Sequence, residues 1–343
     1  MMAGGKGERF WPKSKAKSPK QCLSIFGDKS LIQESIERLT KLISADNIFI
    51  STNIKMSKII KKQIAIKEEN YILEPVAKNT AACIGLSCIK ILNLDAEAVV
   101  AMVPSDAVIK DSDSYLNHLD MAFAFAEKND KIVLIGIKPT YPNTGLGYIH
   151  YGEKIEEVNS VTISEVKNFK EKPDLETARQ FLAAGNYLWN GGMFVCKAKV
   201  MIDAIQEHIP KLYEGLQKIK ESNFDPITTK KVFKKLDSIS IDFGVIEKVN
   251  NLAVVIGNFD WNDVGDWRSL ESVFDKDSDG NIIKGEFYGL DVKDSIIYGD
   301  KLVTAIGIKD LIIVNTGKEI LVADKNYAQD VKKLLEKIPK KYK

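Results

Sequence analysis

The sequence predicts an α/β protein in which helices flank a mixed, mostly parallel sheet and a small β-rich segment follows. Three observations carry this. Short apolar runs alternate with stretches of helical periodicity, the pattern that strands and crossover helices produce. After about Trp267 the runs become uniformly short and strand-like, separated by Gly, Asp and Asn. The 343 residues are 45% apolar and 28% charged, the make-up of a globular chain with room for one large domain and a small one.

The elements follow in order. In "SLIQESIERLTKLI", Ile32, Ile36, Leu39 and Ile43 recur at helical spacing, and Ser30 with Gln33 reads as a capping box. "NIFIST" reads as a strand, "KMSKIIKKQI" as a helix and "NYILEP" as a second strand. "NTAACIGLSCIKIL" is a buried helix, "AVVAMVPSD" a strand, "SYLNHLDMAFAFAEK" a helix and "KIVLIGIKP" a strand. "SVTISEVKNFKEKP" is a further strand, and "LETARQFLAAG" a short helix with Asp174 as N-cap and Gly185 just past its end. The closing segment holds "NIIKG", "SIIYG", "KLVTAIGI", "LIIVNT" and "EILVAD", then the helix "YAQDVKKLLEKI". The boundary falls in 265–280 and is taken as 1–267 and 268–343.

Several classes are excluded. Forty-nine basic side chains face forty-seven acidic ones, so there is no charge footprint for nucleic acid. Cys22, Cys83, Cys88 and Cys196 form no C-x-x-C pair and read as buried thiols in a reducing compartment. His118, His150 and His208 are isolated, which argues against a His-based zinc site. No run spans a membrane and no signal peptide precedes the glycines, so a cytoplasmic location is expected. The basic tail Lys340 to Lys343 reads as solvated.

Four clusters fall at strand ends, where open α/β sheets place their ligands. The first is "GGKGER", followed by Pro19, Lys20 and Gln21. Its glycines allow close backbone approach to phosphate, and Arg9 and Lys20 add positive charge, although a mobile terminal stretch reads the same way. The second is "VPSD", where Asp106 follows a strand as a crevice carboxylate or a turn residue. The third, "DWNDVGDW", packs Asp260, Asp263 and Asp266 between tryptophans; Asp263 with Asp106 suits a hard cation, and a solvated acidic turn is the alternative. The fourth, "FKEKPD", sets Glu171 and Lys172 ahead of a proline, as a site pair or an ordinary surface pair. No Ser/His/Asp or Cys/His set emerges. Phosphate, a divalent metal and no protein nucleophile together fit phosphoryl or nucleotidyl transfer.

"AGGKGERFWPKSKAKSPKQ" resembles the signature of nucleoside-diphospho-sugar pyrophosphorylases, most of all their mannose-1-phosphate guanylyltransferase branch. "EPVAKNTAA", "VPSD", "TGLGYI", "FKEKPD", "LWNGGMF", "SIDFGVIEK" and "DWNDVGDW" resemble that branch in the same order, over almost the whole chain. The resemblance implies a Rossmann-like catalytic domain and a C-terminal segment forming a short left-handed β-helix. It implies that Gly4, Gly5, Gly7, Arg9 and Lys20 form the triphosphate loop, and that Glu74, Asn79 and Thr80 lie near base and ribose. Asp106 and Asp263 would hold Mg²⁺. Gly145, Gly147, Glu171, Asn190 and Asp242 would hold the sugar, with Lys172 steering its phosphate. The implied reaction joins GTP and mannose 1-phosphate into GDP-mannose and pyrophosphate. A related enzyme using another sugar or base is the runner-up, and a non-catalytic nucleotide-sugar-binding paralogue the rival from another class.

Three departures loosen the sugar and base assignment. Ala107 stands where the family commonly has His, Gly191 where it has Ser, and the Asn-Thr-Ala-Pro-Ala run is shortened at Asn79 to Ala82. Longer members of the branch continue into a cupin-type phosphomannose isomerase domain that has no place in a sequence stopping at Lys343, so guanylyltransferase activity alone is expected. A homodimer covering the open edges of the β-rich segment is expected. Only Met1, Met2 and Ala3 precede the glycines, against about five to six residues in a mean strand, so further apolar residues upstream are expected.

Overall fold

The computed structural model describes residues 1–343. Ten strands build the larger part: β1 (Ile50–Asn53), β2 (Tyr71–Glu74), β3 (Val99–Met102), β4 (Val108–Ile109), β5 (Ile132–Ile137), β6 (Tyr148–Val158), β7 (Val161–Lys170), β8 (Tyr187–Lys197), β9 (Leu252–Gly257) and β10 (Trp261–Asn262). Its helices are α1 (Leu31–Leu39), α2 (Ile54–Ile60), α3 (Asn79–Leu92), α4 (Ser112–Lys128), α5 (Leu175–Ala184), α6 (Ala198–His208), α7 (Pro210–Glu221) and α8 (Pro226–Lys235), and α9 (Leu270–Val273) follows at the junction with the smaller part.

Six strands pair in the order β3-β8-β5-β9-β7-β6, and β1 pairs with β2 in parallel. Met2 joins the two groups. It bridges Ser51 and Pro104, with its N–H donating to the Val103 carbonyl at 2.8 Å and Ala3 N–H to that of Ser51 at 2.8 Å. The three residues before the glycines therefore serve as a strand between β1 and β3. An apolar groove of about 440 Å³, lined among others by Leu39, Phe49, Ile91 and Val99, opens beside Met1. Across the sheet β7 and β8 run against the other strands, so the sheet is mixed.

Side chains alternate across the strands, as the two-residue period requires. Ile132, Leu134, Leu252 and Val254 enter one core with α3, α6 and α7; Val133, Ile135, Ala253 and Val255 enter another with α1 and α4. The helix ends match their sequence signals: Ser30 and Gln33 form the capping box, and Asp174 accepts from Thr177 N–H at 2.8 Å. Gly185 takes φ 73° after α5, where a side chain would be strained. All four cysteines are buried and unpaired.

The smaller part coils. β11 (Ile282–Lys284), β13 (Ile296–Gly299) and β15 (Leu311–Asn315) stack in parallel, and so do β12 (Phe287–Lys293) and β14 (Val303–Lys309). Ile282, Ile296 and Ile312 lie in register as an apolar ladder, the stacking of a β-helix. β16 (Ile320–Asp324) closes it antiparallel to β15, and α10 (Val331–Lys337) packs below. No helix is long and apolar enough to cross a membrane.

Candidate active site

The site forms at the carboxyl edge of the sheet. β4 starts two residues after Asp106 and pairs antiparallel with β10, which ends one residue before Asp263. That short ladder brings the two carboxylates to one place. Lys20 sits between their segments: its Nζ donates to Asp106 Oδ2 at 2.9 Å and to the Asp263 carbonyl at 2.8 Å. The lysine is only 5% exposed. Burial raises the Asp263 carboxyl above its usual range; Lys20 and Arg9 pull it down, and Asp106 and Asp266 push it up.

Val264, between Asp263 and Gly265, has φ 47°, a conformation rare for a β-branched residue. Asn262 holds the turn by accepting from Val264 N–H at 2.7 Å. Lys172 (φ 45°) and Asn79 (φ 65°) are also left-handed. Of the three, Val264 is the costly one, because Asn tolerates this region and a β-branched side chain does not.

The glycine loop lies alongside. Gly7 has φ 62°, and a Cβ there would stand 2.2 Å from Lys20 Cβ, so the two limbs of the loop touch backbone to side chain. A Cβ on Gly4 would lie 3.8 Å from Glu74 Oε1. Glu74 itself is buried behind the loop, its carboxyl raised by burial and lowered by hydrogen bonds from Cys83 and Ser51.

A cavity of about 250 Å³ opens beside the carboxylates and gathers Thr80, Asp106, Gly145, Gly147, Glu171, Lys172, Asn190, Asp242 and Asp263. Glu171 is 6% exposed; Lys172 bonds its Oε1, and its Oε2 has no partner. Gly147 leaves room for that oxygen, since a Cβ would come within 2.5 Å of it. Asn190 Nδ2 donates to Asp242 Oδ1 at 2.9 Å, and Asn190 N–H donates to the Gly147 carbonyl at 2.8 Å. Burial, then the Glu171 charge, pushes Asp242 up to about 6. Thr80 ties the two sides together, its hydroxyl accepting from Ile241 N–H at 2.8 Å.

Gly4, Gly5, Gly7, Arg9, Lys20, Glu74 and Asn79 do not line this cavity. They form the adjoining loop and strand end. The sequence reading missed Trp261, whose buried indole N–H has no partner, and Gly192, with φ 66°. Both lie inside motifs quoted from the sequence, so the signal was present but unused. At Gly191, a Cβ would meet Met193 Cε at 2.8 Å and the Ile135 carbonyl at 3.0 Å, so the serine common in the family would need both to give way.

Paired carboxylates at a strand end, a buried lysine, a glycine loop and no nucleophile define the working parts of a nucleotidyltransferase. The nucleotidyl transferase family model matches residues 1–280, and a MannoseP isomerase/GMP-like beta-helix domain matches residues 285–338. The chain belongs to the nucleotidyl transferase family. It is 37% identical to a mannose-1-phosphate guanylyltransferase of Salmonella montevideo, covering 98% of this chain and 73% of that one. It is 34% identical to a mannose-1-phosphate guanylyltransferase of Escherichia coli K12, with 98% and 72% covered. A crystal structure described as mannose-1-phosphate geranyltransferase from Thermus thermophilus matches with TM-score 0.88 at 31% identity, over 98% of this chain and 97% of that one.

Proposed function

We propose that the chain transfers a guanylyl group from GTP to mannose 1-phosphate, giving GDP-mannose and pyrophosphate. The supporting observation is the single cavity in which Asp106 and Asp263, Lys172, and the Glu171, Asn190 and Asp242 set converge beside the glycine loop. A phosphate oxygen of the sugar phosphate attacks the α-phosphorus, the new P–O bond forms, and the bond to pyrophosphate breaks with its electron pair. No proton transfer to the protein is needed.

Lys172 steers the sugar phosphate toward the α-phosphorus. The free Glu171 Oε2 and the Asn190–Asp242 pair accept sugar hydroxyls, which replaces a missing hydrogen bond rather than adding a polar burial. The loop amides of Gly4, Gly5 and Gly7 hold the triphosphate, while Arg9 and Lys20 balance charge on the leaving pyrophosphate. Glu74, with Asn79 and Thr80 at the start of α3, serves the base and ribose.

The Asp106–Asp263 pair fits Mg²⁺. Both are hard oxygen donors, the Asp106 charge pushes the Asp263 carboxyl up, and no third His, Cys, Asp or Glu joins them to make an all-protein cage. When bound, the ion would neutralise phosphate charge at the reacting centre. A cytoplasmic homodimer, divided at 267/268, completes the proposal.

The test is pyrophosphate release from a matrix of nucleoside triphosphates and sugar 1-phosphates, with Mg²⁺ and with chelator. GTP with mannose 1-phosphate should dominate and chelator should abolish the signal. Equal or greater release from another pair would reassign sugar or base, and no release from any pair would favour a binding paralogue.

A further inference from the structure

We infer that the β-helix unit is a working part of the nucleotide site: it grips the glycine loop and thereby holds Arg9 and Lys20 in position. The inference rests on the reading above that this loop binds the triphosphate.

The loop's second limb is anchored on the small unit, directly and through Trp267 at the end of the larger one. Phe10 is fully buried, its ring 5.1 Å from that of Trp267, which in turn lies 5.4 Å from Tyr298 of β13. Trp267 Nε1 donates to the Trp11 carbonyl at 3.0 Å, and Trp11 Nε1 donates to the Tyr342 carbonyl at 3.0 Å. Two ion pairs flank these contacts: Lys13 with Asp300 at 2.7 Å, and Lys15 with Glu319 at 2.6 Å. Gln329 bonds Asp266, three residues from the Asp263 carbonyl that receives Lys20.

These contacts form one connected path. The Lys20 ammonium lies 5.8 Å from the Phe10 ring, and the Lys20 Cβ fills the space under Gly7. A shift of Phe10 and Trp11 relative to the β-helix therefore displaces both limbs of the loop. Asp300 and Glu319 touch nothing in the 250 Å³ cavity, so they are positioning residues.

The test uses the full chain carrying Asp300→Asn with Glu319→Gln, which keeps shape and removes both charges. Hydrogen exchange of amides 4–22 should quicken, and KM for GTP should rise about three- to fivefold, the size two partly shielded ion pairs support. KM for mannose 1-phosphate and Tm should hardly move. The charge exchange Lys13→Asp with Asp300→Lys should retain near-normal KM, whereas Asp300→Lys alone should not. Unchanged loop exchange in the double variant, or equal rises in both KM values, would overturn the inference. If the unaltered chain bound no nucleotide, the proposed function would fall, while faster loop exchange in the variant would still support the mechanical coupling.

Discussion

Replacing Lys20 with methionine separates the loop's chemical role from its structural one. The apolar stem is largely kept, so packing changes little. What is lost is a cation making two hydrogen bonds, to Asp106 at 2.9 Å and the Asp263 carbonyl at 2.8 Å. Charge-assisted bonds contribute about 1.5–3 kcal/mol each. The Asp106 side chain, however, is 35% exposed and regains water, so the net loss of stability should be only about 1–2 kcal/mol. Catalysis should suffer more. A fixed cation facing developing charge supplies about 3–4 kcal/mol, so kcat/KM should fall about 10²–10³-fold. Lys20 also pulls the Asp263 carboxyl down, so its removal should move the acid limb of the rate profile to higher pH. Pyrophosphate release over about pH 6–9, alongside urea unfolding, measures both. Activity within about threefold of the unaltered chain, or a loss accounted for by unfolding alone, would refute this role for Lys20.

Three further outcomes follow from the same geometry. Gly7→Ala puts a methyl 2.2 Å from Lys20 Cβ at φ 62°, so calorimetry should show a loss of about 1–3 kcal/mol and nucleotide binding should weaken. Gly147→Ala, with its methyl 2.5 Å from Glu171 Oε2, should raise KM for the sugar phosphate and leave that for GTP near normal. Asp242, raised from 3.8 to about 6, stabilises the fold fully below the lower value, and that contribution is lost as pH rises through the upper one. Asp242→Asn should therefore gain about 1–2 kcal/mol over the parent at pH 8 and nothing near pH 4, while sugar-phosphate affinity drops.

Much of the catalytic part could be read directly from local signals. Helix α3 runs Asn79–Leu92, the stretch its apolar run marked out, and Asp174 and Gly185 bound α5 as capping chemistry requires. Glu171, Asn190 and Asp242 were expected from the resemblance of their motifs, whereas their partners lie far along the chain, as the Asn190–Asp242 bond shows. Contacts set by distant pairing were not legible. Nothing in "DWNDVGDW" says that β10 pairs with β4, the ladder that aligns Asp263 with Asp106. The directions of β7 and β8 likewise depend on register, which apolar periodicity does not carry. Length alone argues against the short N-terminal strand, yet Met2 is bridged on both sides because β1 and the segment after β3 supply ready-made edges. The grip of Trp267 and Asp300 on the loop joins residues hundreds of positions apart, beyond any local pattern.

The four buried thiols give the molecule its own clocks. Burial pushes Cys22 up to about 11 and Cys88 up to about 12, and raises Cys83 and Cys196 as well, so alkylation at neutral pH must wait for an opening. Cys22 lies two residues past Lys20, at the end of the glycine loop, whereas Cys88 and Cys196 sit in the core between α3 and the sheet. Labelling of Cys22 thus times the unlatching of the loop, and labelling of the inner pair times the melting of the whole domain. A saturating nucleotide should slow the first clock, so one unmodified chain reports local and global opening in a single experiment.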